Sequence, residues 1–249
     1  FYSPNIVFYY FQNSQSQNSN NGNFENDENN ISSSTVGALI DYSIYKHWSL
    51  QSGLTLGSTN IDLGAETIYA QPDNSGNIKY QINTSSGYGY ILPSFNNNPA
   101  VGDSILSVST THTLRYLGIP LAVKYNINKG KFSINGRAGL VANFLTKGSI
   151  STNLEKGNDN EIETTDKIHG LKPFYFTGIT GVGLDYNIYK NWSVSFSPTF
   201  RFSISSINKD MPVKSFPNSF GGSFGLKMRL WELINVMRFL SFHKKEFLE

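Results

Sequence analysis

Leu39-Ile40-Asp41-Tyr42-Ser43-Ile44-Tyr45-Lys46-His47-Trp48-Ser49-Leu50 returns, little altered, as Gly183-Leu184-Asp185-Tyr186-Asn187-Ile188-Tyr189-Lys190-Asn191-Trp192-Ser193-Val194. Each copy alternates apolar with small or polar residues on both sides of a Tyr-Lys-x-Trp segment, and a period of two is the signature of a strand. Both copies therefore read as β-hairpins. In the first, Val36, Ala38, Ile40, Tyr42 and Ile44 share a face, continued after the turn by Trp48, Leu50, Leu54 and Leu56. In the second, Val182, Leu184, Tyr186 and Ile188 are continued by Trp192, Val194, Phe196, Phe200 and Phe202.

A third hairpin lies between them. Leu117, Ile119, Leu121, Val123 and Tyr125 alternate with Gly118, Pro120, Ala122 and Lys124; Asn128-Lys129-Gly130-Lys131 makes the turn; Phe132, Ile134, Ala138 and Leu140 alternate with Ser133, Asn135, Arg137 and Gly139. Single strands flank the set, roughly Asn5 to Gln12 and Ser219 to Leu230, giving eight. Pro120 and Pro198 fall inside strands, where a missing N–H removes a ladder bond, and both are expected at bulges. The connections alternate between turns of two to four residues and long stretches rich in Asn, Ser, Gly and acid: Asn13 to Ser33, Gly64 to Ser104, Lys156 to Gly170 and Asn208 to Pro217. Short turns at one rim and long loops at the other are the rhythm of an all-β, antiparallel up-and-down transmembrane β-barrel, with periplasmic turns and extracellular loops. An even strand number puts both ends of the barrel, residues 1–230, at the periplasmic rim.

Composition agrees. The 249 residues are 14% aromatic and only 15% charged, with 22 Gly, which favours strands and turns over helices. Mean hydropathy is −0.30, and no run of about 18 apolar residues exists, which excludes a helical membrane protein but not a barrel, whose strands are apolar on one face only. A net charge of +2 without basic runs interleaved with aromatics excludes nucleic acid as a partner. The absence of Cys removes disulfides, thiolate metal sites and Cys nucleophiles. Phe1 to Gln12 lacks the charged segment and cleavage site of a signal peptide, so residue 1 reads as a mature or trimmed start.

A soluble, lipocalin-like barrel would turn the apolar face inward around a greasy lumen; a membrane barrel turns it toward lipid. The polar faces carry Asp41, Lys124, Arg137, Asp185, Arg201, Lys227 and Arg229 in mid-strand, which suits a lumen filled by compensated charges and therefore a membrane barrel. The alternative use of those charges is a selective pore, although eight strands leave an interior just wide enough for side chains. On the apolar faces Tyr45, Trp48, Tyr125, Phe132, Tyr186, Tyr189 and Trp192 gather at the short turns, as a membrane-interface girdle does.

Reactive constellations are sparse. His112, with Asp103 and Ser104 near in sequence, is the one candidate for a catalytic rim, and a Ser/Thr-rich strand holding one His is the blander reading. His47, His169 and His243 are too scattered for a metal site. Gly178, Gly181 and Gly183 are out of order for a phosphate loop. Glu25, Asp27 and Glu28, and then Glu155, Asp159, Glu161, Glu163 and Asp166, suggest solvated loops, or else loops that bridge surface lipids through divalent ions. No cofactor is expected.

Arg115-Tyr116-Leu117-Gly118-Ile119-Pro120-Leu121-Ala122-Val123-Lys124-Tyr125, then Gly136-Arg137-Ala138-Gly139-Leu140, resembles the PorT-like and OmpX-like outer-membrane β-barrel family, and the duplicated Tyr-Lys-x-Trp-Ser turns fit it. The resemblance implies a location in a Gram-negative outer membrane and a barrel fold, and it assigns no catalytic residue. It also implies, by analogy with a secretion-system component, a place in an envelope complex. The chain departs from it at the end: in Trp231 to Glu249, Leu233, Ile234, Met237 and Leu240 fall at helical spacing, which reads as an amphipathic helix for a leaflet or partner, or as a tag remnant. The expectation is thus a non-enzymatic barrel, structural, loop-displaying or an envelope-complex subunit. Its partners are outer-membrane lipid and other envelope proteins, reached through loops or tail. The alternative is a small solute pore.

Overall fold

The computed structural model describes residues 1–13, 28–157, 159–209, 211 and 213–229. The expected helix over 231–249, His243, and the acidic Glu25 and Asp27 lie outside the described residues. The strands, in chain order, are β1 (Tyr2–Asn13), β2 (Glu28–Ser43), β3 (Trp48–Leu63), β4 (Glu66–Pro72), β5 (Ile78–Asn83), β6 (Tyr88–Ile91), β7 (Ser104–Lys129), β8 (Phe132–Lys156), β9 (Asp159–Thr165), β10 (Ile168–His169), β11 (Phe174–Tyr189), β12 (Trp192–Ser203) and β13 (Val213–Met228).

Eight of them close a ring in the order β1-β2-β3-β7-β8-β11-β12-β13, with every neighbour antiparallel and β13 returning to β1 from Tyr2↔Phe224 to Asn13↔Val213. The three hairpins read from the sequence are β2–β3, β7–β8 and β11–β12. Their alternating residues separate as a membrane requires: Ile40 is 71% exposed and Val182 61%, while Lys124 and Asn135 are each 3% exposed. A continuous outer band of large apolar side chains over a polar interior is the inverse of a soluble barrel and identifies the lipid-facing wall.

Pro120 and Pro198 are not bulges. The register stays constant past both, from Ser52↔Leu121 to Thr55↔Gly118 and from Gly181↔Thr199 to Leu184↔Phe196, and each proline simply leaves a gap in one of its two ladders. The Ser52 hydroxyl donates to the Pro120 carbonyl across that gap (2.9 Å), so a side chain satisfies the proline carbonyl where the backbone ladder is interrupted.

The long-loop side departs most from expectation. β7 and β8 have 26 and 25 residues, more than twice the roughly 9–11 that a tilted strand needs to cross a bilayer. The outward apolar residues of β7 run from Leu117 to Ile127, and exposed Arg115 and Lys147 end the band. Beyond it the two strands exchange partners. β8 pairs with β11 as far as Phe144↔Phe174 and then with β9, whereas β7 leaves β3 after Leu63↔Thr110 for β4. A second sheet, β9-β8-β7-β4-β5-β6-β10, grows out of the barrel wall in this way.

Residues 64–104 are therefore not an open loop but most of a folded cap. Ile68 and Ala70, then Tyr80 and Ile82, alternate with polar residues and meet Ile91, Ile105, Ile150 and Leu154 in a buried apolar cluster. Asp73 shapes the β4–β5 turn: its Oδ1 accepts the N–H groups of Ser75 (2.8 Å) and Asn77 (3.0 Å), and Gly76 takes φ +82°, which a side chain would resist. Lys156 to Gly170, also expected as a loop, contributes β9 and β10 to the same sheet.

Register shifts allow a strand to serve two environments. The ladder slips between Arg115 and Tyr116 and again between Ser107 and Ser109, and one unpaired residue exchanges the faces of everything beyond it. On β8 the buried set is Asn135 and Val141 below the slip, and Ile150, Thr152 and Leu154 above it. The strand thus turns one set of alternate residues inward at membrane level and the other set inward within the cap.

Candidate functional site

Three layers fill the barrel axis. At membrane level the charged residues singled out in the sequence meet across the lumen. Lys124 Nζ lies 2.9 Å from Asp41 Oδ2, which joins β7 to β2. Lys227 Nζ lies 2.7 Å from Asp185 Oδ1, which joins β13 to β11. Amides complete each carboxylate: Gln51 Nε2 donates to Asp41 (2.6 Å) and Asn135 Nδ2 to Asp185 (3.1 Å). Arg137 donates to Gln51 Oε1 (3.3 Å) and Thr199 Oγ1 (2.6 Å), and Arg201 to Thr35 Oγ1 (2.8 Å). Arg229 does not join them: it is exposed at the short-turn rim, where its N–H bonds the Asn191 carbonyl (2.9 Å). Gln51, Asn135, Thr35 and Thr199 are partners that sequence reasoning missed, because an uncharged polar residue on a lumen face carries no mark of which charge it will serve.

Above this layer Ile61, Leu63, Leu114, Tyr116, Leu171, Tyr175 and Ile207 form a second buried apolar cluster, with the Tyr116 and Tyr175 rings edge to face at 5.1 Å. Two connections close over it. Asn208, 2% exposed, donates through Nδ2 to the carbonyls of Val213 (2.7 Å) and Ser85 (3.3 Å) and accepts the Ser215 N–H. The β5–β6 turn at Thr84 to Gly87 is thereby fastened to the β12–β13 connection over the barrel mouth. The cap is the third layer.

The seven aromatics of the expected girdle all lie on the outer face at the short-turn rim, each exposed. Trp48 and Tyr125 meet edge to face at 4.9 Å, Phe132 and Tyr186 stand 5.0 Å apart, and Lys190 lies 5.7 Å over Tyr189.

His112 does not stand at an open rim beside Asp103. It is fully buried, with Nδ1 3.0 Å from Thr84 Oγ1, while Asp103 instead accepts the Ala100 N–H. The Thr84 hydroxyl gives its proton to the Gly87 carbonyl (2.8 Å), so the imidazole donates through Nδ1, and its buried Nε2 has no partner. Burial pushes the His112 pKa down from 6.5 to about 4, as it does for any cation removed from water.

Above pH 6.5 the ring is neutral whether or not the cap is folded. Between 6.5 and about 4 the unfolded segment takes up a proton that the folded cap refuses, so stability falls with pH across that window, by about 3 kcal/mol in all. Acid titration monitored by hydrogen exchange of the cap amides is expected to show this loss, and His112→Gln to flatten it; an unchanged profile in the variant would place the acid lability elsewhere.

His47 packs on Tyr125 at 5.6 Å and His169 on Tyr88 at 5.3 Å. No group of three His, Asp or Glu residues is arranged to hold a metal among the described residues. Glu161 accepts the Ser94 N–H and hydroxyl, each at 2.8 Å, and these bonds hold its pKa below the usual value, while burial and the Glu161 charge raise that of Glu163.

Comparison with curated protein sequences gives no match. Among solved structures, two of the attachment invasion locus protein Ail of Yersinia pestis are similar at 11% identity, covering 90% of this chain and 95% of theirs. The one in complex with the heparin analogue sucrose octasulfate has a TM-score of 0.30 and the other 0.25. The family model described as an outer membrane protein beta-barrel domain matches residues 5–209. With a closed eight-stranded ring, a lipid-facing apolar wall and a polar lumen already established, this match identifies the chain as a member of the outer membrane protein beta-barrel domain family, a protein of the outer membrane.

Proposed function

We propose that the protein is a non-enzymatic anchor that holds a folded cap outside the cell for contact with another envelope or surface component. The observation that carries this reading is the filled axis: the Tyr116–Tyr175 cluster and the fastened Thr84–Gly87 turn occupy the mouth where a pore would need water. The even strand number and the short turns favour periplasmic termini and an extracellular cap. The outer apolar band and its girdle fit outer-membrane lipid as the surrounding partner. The resemblance to PorT-like and OmpX-like barrels favours a protein partner in the envelope, which the cap is built to meet.

Since the chain has no Cys, single cysteines report orientation cleanly. Asn74→Cys, in the β4–β5 turn, is expected to react with a membrane-impermeant maleimide on intact cells, and Lys46→Cys, in a short turn, only after permeabilisation. The reverse pattern, or stable large conductance in planar bilayers, would overturn the proposal.

A further inference from the structure

The charged layer of the lumen is not balanced. Among the described residues four cations, Lys124, Arg137, Arg201 and Lys227, face two carboxylates, Asp41 and Asp185, and each carboxylate is already engaged by a lysine. Among the described residues the arginines' side-chain hydrogen bonds go to neutral groups, Gln51 and Thr199 for Arg137 and Thr35 for Arg201. The Nε–H of each is buried and without a hydrogen-bond partner among the described residues. A desolvated guanidinium held in no ion pair is strongly disfavoured; Asp41 and Asp185 act on Arg137 only from a distance, so two such groups in one compartment call for an anion.

They also share a space. Arg137 and Arg201 line one cavity of about 80 Å³ together with Gln51, Thr55, Tyr116, Asn143 and Thr177. We propose that this cavity binds a small inorganic oxyanion of the phosphate or sulfate class, held between the guanidinium groups of Arg137 and Arg201.

The chemistry suits the pair. A guanidinium is a planar fork of donors that matches two oxygens of one oxyanion, and the free Nε–H groups are members of those forks. One dianion would cancel the surplus of two positive charges. Access is from the short-turn rim, where Asp41 and Lys227 keep about a third of their side-chain surface exposed (31% and 33%), because the Tyr116–Tyr175 cluster closes the other way. The site is independent of the display role and stands or falls separately from it.

The test uses the full chain refolded in zwitterionic detergent, with heat-modifiable migration on an unboiled gel as the check of folding. Calorimetric titration with inorganic phosphate, and separately with sulfate, is expected to show one saturable site and a rising urea midpoint as anion is added. Arg137→Gln and Arg201→Gln are each expected to weaken binding at least tenfold, and Lys214→Gln, an exposed cation outside the lumen, to leave it unchanged. Phosphatidylglycerol in mixed micelles is expected not to compete; competition would reassign the site to a lipid headgroup and overturn the inorganic ligand. As a measurement on the unsubstituted protein, phosphate is expected to protect Arg137 and Arg201 from phenylglyoxal, read by peptide mass. No saturable binding of either anion, wild-type affinity in both arginine variants, or no protection would each overturn the proposal.

Discussion

Asp185→Leu is expected to destabilise the barrel by about 3 kcal/mol, toward the lower end of the 3–5 kcal/mol seen when one member of a buried ion pair is removed. The carboxylate receives Lys227 Nζ at 2.7 and 2.8 Å and Asn135 Nδ2 at 3.1 Å. Without it, Lys227 stays in the lumen with no carboxylate partner and adds to an interior already rich in cations. Water moderates the cost, since the Lys227 side chain is 33% exposed. The double variant Asp185→Leu/Lys227→Met is expected to recover most of the loss, because it withdraws the stranded charge as well as its partner. Urea titration of the protein folded into lipid vesicles measures both; a single variant no less stable than the double would mean that the pair is not coupled.

Tyr80→Ala is expected to cost the cap about 3–5 kcal/mol, the range for deleting a large aromatic side chain from a closed core. Tyr80 has no exposed surface, and its hydroxyl accepts the Asn96 Nδ2–H at 2.6 Å. Tyr80→Phe keeps the ring and loses only that bond, for about 1 kcal/mol. The loss in Tyr80→Ala is expected to be local: protease cuts between Pro72 and Ser104 while heat-modifiable migration of the barrel persists. Loss of that migration would show that barrel and cap fold as one unit.

The barrel was legible because its wall obeys one rule from end to end. Lipid outside and polar atoms inside force a strict period of two, which Ile40, Leu121 and Val182 display and which the repeated Tyr-Lys-x-Trp turns punctuate. The cap hid behind the same rule. Ile78, Tyr80 and Ile82 alternate just as clearly, and Asp73-Asn74-Ser75-Gly76 is a turn sequence, yet their strands are short and sit among Asn, Ser and Gly, where length and composition suggest a loop. The bulges near Tyr116 and Ser107 were not legible at all, for a single unpaired residue leaves the composition unchanged while exchanging the two faces. The lumen charges were readable as a set, but their pairing was not: Asp41 meets Lys124 across β3, and Asp185 meets Lys227 across β12, because the curvature of the wall turns strands two places apart toward each other.

β7 and β8 pass from the short-turn rim to the top of the cap with their pairing maintained from Lys129↔Phe132 to Leu106↔Glu155. The bulges bend this ribbon without interrupting it. At about 3.3 Å per residue and a tilt near 45°, the stretch beyond Leu117 carries the far end of the cap roughly 30 Å above the bilayer. A binding surface on such a post keeps its height and bearing before any partner arrives, so association would forgo most of the loop-ordering entropy that a flexible surface loop must lose when it is captured.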